Sequence, residues 1–163
     1  MTDWANRILG HGEESPDNLL AHPANWRIHS KAQQEALGTV LESVGLVQSV
    51  IVNQRSGFVV DGHLRIAMAM RTGQKTIPVT YVDLTDEEER IVLASLDSIT
   101  AMAVPDREKL AELIASVETE EADVLAMLAA VTESDKMPPV EDAMPARDTR
   151  TATCPECGAV FEP

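Results

Sequence analysis

Up to about residue 103 the chain alternates between two periods of apolar spacing. In "KAQQEALGTVLESVG", Ala36, Val40, Leu41 and Val44 share one helical face and Gly45 follows as a stop, so the spacing predicts a helix of about four turns. "VQSVIVN" then changes to strand character, "QRSG" supplies a turn and "FVV" resumes the strand, which predicts a β-hairpin over residues 47–60. The hairpin delivers the chain to Asp61 and Gly62, where helical spacing begins at once. Leu64, Ala67, Met68 and Arg71 recur until Gly73, predicting a helix over about 62–72. "TIPVTYVD" is strand-like, and Pro78 restricts it to a sheet edge or a strand start. In "LTDEEERIVLASLDSI", Thr85 suits an N-cap, acids crowd the first turn as the helix dipole favours, and Ile91, Leu93 and Leu96 supply the apolar side of a third helix.

Beyond this zone the pattern changes twice. Asp106 is placed to cap a helix carrying Leu110, Leu113, Ile114 and Val117, and Thr119 to cap another carrying Val124, Leu125 and Leu128, so a helical hairpin is expected over 104–132. "TESDKMPPVEDAMPARDTRTAT" is rich in proline, charge and small polar residues, which predicts a disordered linker over 133–153 ahead of a cysteine knuckle at 154–163. Residues 1–103 are expected to form the principal domain.

Composition narrows the class. With 163 residues, 44% of them apolar, the chain has material for one ordinary core and a smaller appendage. No apolar run approaches the ~18–20 residues of a membrane span, and the first residues lack the basic flank and apolar stretch of a signal segment. A soluble, cytoplasmic protein without a membrane partner is expected. The net charge of −14 repels nucleic acid at long range, so any DNA contact is expected to be local or made through a partner protein. Residues 1–103 hold 8 basic and 13 acidic side chains (−5), and residues 104–163 hold 5 and 14 (−9).

The candidate chemistry sits at the corner "VVDGHLRIAMAMRTG". A glycine at a strand-to-helix junction lets backbone N–H groups approach a bound anion, and the helix N-terminus favours phosphate. Arg65, one turn on, can reach back over the same helix end with a planar donor fork suited to phosphate oxygens, and His63 adds a donor or titratable group. Asp61 opposes phosphate unless a divalent cation, Mg²⁺ by its preference for oxygen, bridges the two. The plainer alternative is that Asp61 and Gly62 form an ordinary turn, Arg65 is solvated and His63 meets a backbone carbonyl.

Order and spacing together resemble the ParB/sulfiredoxin-like (ParB-like nuclease) superfamily over about residues 13–100. The matching pieces are "NWRIH" for its Asn-x-Arg start, "LESVGLVQSVIVN" for its helix-glycine-strand passage, "VVDGHLRIAMAMRTG" for its G-[HE]-x-R-x-x-A box and "TIPVTYVDLTDEEE" for the strand into the next helix. The resemblance implies an α+β fold, a small mixed sheet with packed helices, here followed by the helical hairpin and a flexible tail. It also implies that Gly62, His63 and Arg65 face the phosphates of a nucleotide, typically CTP or ATP, with Mg²⁺. Arg27 is the expected second donor, and Gln48 the polar group presented to the ligand at the start of a strand. Sulfiredoxins carry a catalytic cysteine where this chain has His63, so reductase chemistry is excluded. Many ParB-type boxes hold two adjacent arginines, of which the first is Leu64 here, and a later Asn-Arg motif falls near Asp97 and Ser98.

Near the C-terminus, "TCPECGAVF" is patterned as half of a zinc ribbon. Cys154 and Cys157 supply two of the four ligands a structural Zn²⁺ needs, so metal requires a second pair from another copy of the chain, which implies a homodimer. A metal-free remnant and a redox CxxC are the alternatives.

The leading expectation is a nucleotide-phosphate-binding module that acts in DNA transactions such as segregation, modification or phage and plasmid maintenance. Residues 104–132 hold only Arg107 and Lys109 as basic groups, too few for a DNA-reading helical motif. One alternative is a metal-dependent nuclease or phosphohydrolase, with Asp61 holding Mg²⁺, His63 as general acid/base and Arg65 stabilising phosphoryl charge. The other is an acidic adaptor that has lost its ligand.

Overall fold

Two strand-forming runs rich in valine, Val50–Asn53 (β3) and Phe58–Asp61 (β4), pair antiparallel across the turn at 54–57 and form the middle of a mixed five-stranded sheet. The computed structural model describes residues 3–103 and 106–133, together with the backbone of 152–153 and 160–161. The other strands are Ile8–Glu14 (β1), Leu20–Ala21 (β2) and Ile77–Val82 (β5), in the order β1-β5-β3-β4-β2. β1 lies antiparallel to β5, β5 parallel to β3, and β4 parallel to β2. The architecture is α+β, as the resemblance implies.

β5 is flanked on both sides, and Pro78 is its second residue, so the proline marks a strand start and not a sheet edge. The strand region between 47 and 60 is shorter than its β-rich composition suggests: Val47, Gln48 and Ser49 lie outside β3, with a bend at Gln48. β1 carries no alternating signal, with Ile8 and Leu9 both exposed, and its pairing with β5 specifies it instead.

Five α-helices are present among the described residues: Lys31–Ser43 (α1), His63–Thr72 (α2), Asp86–Thr100 (α3), Arg107–Ala115 (α4) and Ala122–Glu133 (α5). Ser30 caps α1 by accepting from the Gln33 N–H, and Asp106 caps α4 by accepting from the Lys109 N–H. Thr85 and Glu88 form a complete capping box on α3, satisfying two backbone donors reciprocally. Thr119 does not cap α5; its hydroxyl accepts from the Glu121 N–H in the turn before the helix.

α2 packs against β3 and α1, α3 against β4, and α5 against both α1 and α4. Val50, Val52, Val59, Ile66, Ala69, Ile77 and Val79 form the core, with Leu19, Met70 and Tyr81 packed on it. The face of α1 is rotated from the expected one: Gln34 and Gly38 are buried, Ala36, Val40 and Leu41 half-buried, and Val44 exposed. Gln34 is accommodated because its amide donates to the His29 carbonyl at 3.0 Å, and Gly38 because a Cβ there would stand 3.1 Å from Met68 Cε of α2. On α3 only Leu93 of the three expected apolar positions is buried; Ile91 and Leu96 are exposed.

No described helix is long and apolar enough to cross a membrane. Ala152–Thr153 and Val160–Phe161 pair antiparallel on either side of the cysteine motif. Cys154 and Cys157, the expected zinc ligands, lie outside the described residues, as does nearly all of the 133–153 linker.

Candidate functional site at the β4–α2 corner

Gly62 makes the corner possible. It is the N-cap of α2 with φ +99°, in the left-handed region, where a side chain is strained. A Cβ at this position would also stand 3.0 Å from Val50 Cγ2, 3.2 Å from Val50 Cα and 3.2 Å from Arg65 Nη2. Glycine therefore serves both the turn and the close approach of β3 and the Arg65 side chain. No side chain caps the helix end, so its first N–H groups keep their partial positive charge facing the corner.

Arg65 reaches back along α2, as its one-turn offset dictates. Its Nη2 donates to Asp61 Oδ2 at 2.7 Å and to the Ser49 carbonyl at 3.4 Å, and its Nη1 donates to Gln48 Oε1 at 2.9 Å. Arg27 arrives from the loop before α1. Its Nη1 lies 3.6 Å from Asp61 Oδ1, and its Nε lies 2.5 Å from Asp97 Oδ2 of α3. That second contact is a close ion pair, whereas Nε of Arg65 is a buried N–H group with no acceptor among the described residues. The side chains of Arg27, Arg65 and Asp61 are 11%, 15% and 13% exposed, so these charges interact largely out of bulk water.

His63, the first residue of α2, has its pKa lowered to about 4, chiefly by burial and next by the Arg27 charge; the Asp61 carboxylate opposes the shift. The ring is thus neutral near pH 7. Its Nε2 accepts from the His22 N–H at 3.4 Å, which leaves Nδ1 as the protonated nitrogen. His22 in turn accepts the Ala24 N–H on Nδ1 and faces the buried Glu89 with Nε2, at 3.9 Å. Glu89 also accepts from the Ser56 hydroxyl at 2.7 Å.

The six residues singled out in the sequence, Arg27, Gln48, Asp61, Gly62, His63 and Arg65, thus meet at one corner. Three further participants were not singled out: Asp97, the Ser49 carbonyl and His22. Asp97 was legible only as a polar residue near the place of the family's later motif, while His22 and Ser49 carry no local signal. His29 is near enough for its charge to act on His63, and its ring bonds Gln33. Asp83 and Asp86 stand apart, the former paired with Arg55 and the latter in the first turn of α3.

Asp61, the carboxylate expected to hold Mg²⁺, has both oxygens on arginines, and among the described residues no group of three or more histidines, cysteines or acids is arranged to hold a metal ion. These residues do not fit a resident metal centre. What the corner offers is two guanidiniums and a helix N-terminus, which is the chemistry of anion recognition.

No protein-family model and no curated protein matches the sequence. Solved structures do match. The C-terminally truncated chromosome-partitioning protein ParB from Caulobacter crescentus, in complex with CTP-γ-S, is 19% identical with a TM-score of 0.57, covering 73% of this chain and 70% of that one. A Pnob8-like ParB-N domain is 15% identical with a TM-score of 0.49 over 80% of this chain, which spans about half (52%) of that one. The likeness to the Caulobacter protein, together with the sheet order and the glycine corner, shows that the chain has a ParB-like fold.

Proposed function

We propose that the protein is a nucleotide-phosphate-binding module of ParB type that works in DNA transactions, reaching DNA through a partner protein. The observation that carries this reading is the pair of buried guanidiniums, Arg27 and Arg65, converging on Asp61 beside the uncapped N-terminus of α2, with the Arg65 Nε–H left without an acceptor among the described residues. A buried donor without a partner costs ~1–3 kcal/mol, and an anion that accepts from it recovers that cost on binding. Phosphate oxygens meet the requirement with charge, geometry and number, and a nucleoside triphosphate such as CTP or ATP supplies them in series. Complex formation of the similarly folded Caulobacter protein with CTP-γ-S supports a nucleotide of this kind.

In this reading Arg65 and Arg27 bind phosphate oxygens, Gly62 admits the ligand to the helix end, and Gln48 orients the Arg65 fork. Asp61 and His63 are both held by other protein groups, so the reading is one of binding and not of hydrolysis. Mg²⁺, where it takes part, arrives coordinated by the phosphates.

Calorimetric titration with CTP, ATP and GTP, with and without Mg²⁺, tests the proposal. At least one nucleotide is expected to bind, and Arg65→Ala to weaken it at least ~30-fold, about 2 kcal/mol for a charge-assisted bidentate contact. Absence of binding to every nucleotide, or binding indifferent to Arg65→Ala, overturns it.

A further inference from the structure

Asp61 does more at this corner than end a strand. Its two oxygens divide between the two guanidiniums, Oδ2 to Arg65 and Oδ1 to Arg27, the partners and charge that an incoming phosphate would seek. The pairing is incomplete. A side-on fork-to-fork contact uses Nε together with Nη, yet the Arg65 Nε–H has no acceptor among the described residues. Asp97, at 47% exposure, meets Arg27 Nε at 2.5 Å, so Arg27 is shared between two carboxylates. A flat carboxylate with two oxygens thus holds the arginines converged while leaving the inner donor of Arg65 unmet.

The geometry points to Asp61 as the resident anion of the site, a built-in competitor that an external polyphosphate displaces. This inference rests on the phosphate-binding reading above and adds a specificity rule to it. Entry of an anion is an exchange: the Asp61–Arg65 and Asp61–Arg27 pairs are given up, and the new contacts must exceed them. A singly charged or two-oxygen anion gains nothing over the carboxylate already there. A polyphosphate, with more charge and an oxygen to reach the Arg65 Nε–H, does. Asp61 therefore sets the threshold that separates polyphosphates from smaller anions, and it is a positioning residue that acts through Arg27 and Arg65.

Calorimetric titration with inorganic pyrophosphate and with orthophosphate, at fixed ionic strength and without divalent cations, is the test. Asp61→Asn removes the charge and keeps the shape, and Asp61→Ser serves the same purpose should the first variant fold poorly. Both are expected to bind pyrophosphate about tenfold more tightly than wild type and to gain at least as much for orthophosphate, so that selectivity narrows. In the wild-type protein, pyrophosphate is expected to move the side-chain carboxyl ¹³C resonance of Asp61 and the ¹⁵Nε resonance of Arg65 together. Tight wild-type binding with unchanged or weaker binding in the variants, or saturation with the Asp61 carboxyl resonance unmoved, overturns the inference and leaves the phosphate site standing. Binding by neither wild type nor variants overturns both. Binding by the variants alone supports the inference in its strongest form.

Discussion

At the scale of single residues, Gly62 and His63 carry the sharpest consequences. Alanine at 62 must hold φ near +99° and place a Cβ against the Val50 backbone and the Arg65 guanidinium. Left-handed strain and that contact together should cost about 2–3 kcal/mol, read as a lower urea midpoint with unchanged slope. A loss below about 0.5 kcal/mol would show that the corner can relax. His63 gives a pH signature of defined sign. Its folded pKa is depressed to about 4, whereas the unfolded ring titrates near 6.5, so the unfolded state binds more protons between those values. The contribution is fully present above about pH 6.5, declines as the pH falls, and saturates near pH 4. Allowing for partial solvent exposure of the ring, the decline should be about 1–3 kcal/mol. Stability curves of wild type and His63→Gln, compared across that window, should converge as the pH is lowered; a gap that does not change below pH 6.5 would refute the assignment.

Among the elements, Asn53 ties the β3–β4 turn to the start of α3. It is fully buried; its amide donates to the Leu84 carbonyl at 3.0 Å and its oxygen accepts from the Leu84 N–H at 3.1 Å. Asn53→Leu should cost about 2–4 kcal/mol, since it leaves two buried backbone groups of Leu84 unpaired, measurable by thermal or chemical unfolding. This junction was invisible in the sequence, because an asparagine before "QRSG" also suits a solvated turn. The same limit explains the other differences. The hairpin, the corner and the capping box rest on local chemistry and were legible from a few adjacent residues. β1 depends on a partner strand some seventy residues away, and the buried face of α1 depends on a glycine that receives Met68 and a glutamine that finds a carbonyl. For the site, residue types at the glycine box could be named from spacing. The convergence of Asp97, His22 and the Ser49 carbonyl on it comes from three separate elements that only the fold brings together.

Over the whole molecule, charge bears on the proposal that the protein reaches DNA through a partner. The net charge is −14, and of the eight basic side chains in residues 1–103, Arg7, Arg27, Lys31, Arg55 and Arg65 are committed to carboxylates. A DNA-binding face needs several free cations in a stripe, each releasing a counterion and steepening the salt dependence. Here the long-range field repels the duplex, and the most buried cations point inward to the corner. Direct binding to a 30-base-pair duplex should therefore be weaker than about 10⁻⁴ M, the weak end of non-specific affinity, even at 50 mM salt. Lowering the salt further should not strengthen it, because a longer screening length extends the repulsion. Fluorescence anisotropy against salt concentration checks this. A micromolar dissociation constant with a log–log slope near −4 or steeper would place about four or more phosphate contacts on this chain, and the DNA would then be bound directly and not through a partner.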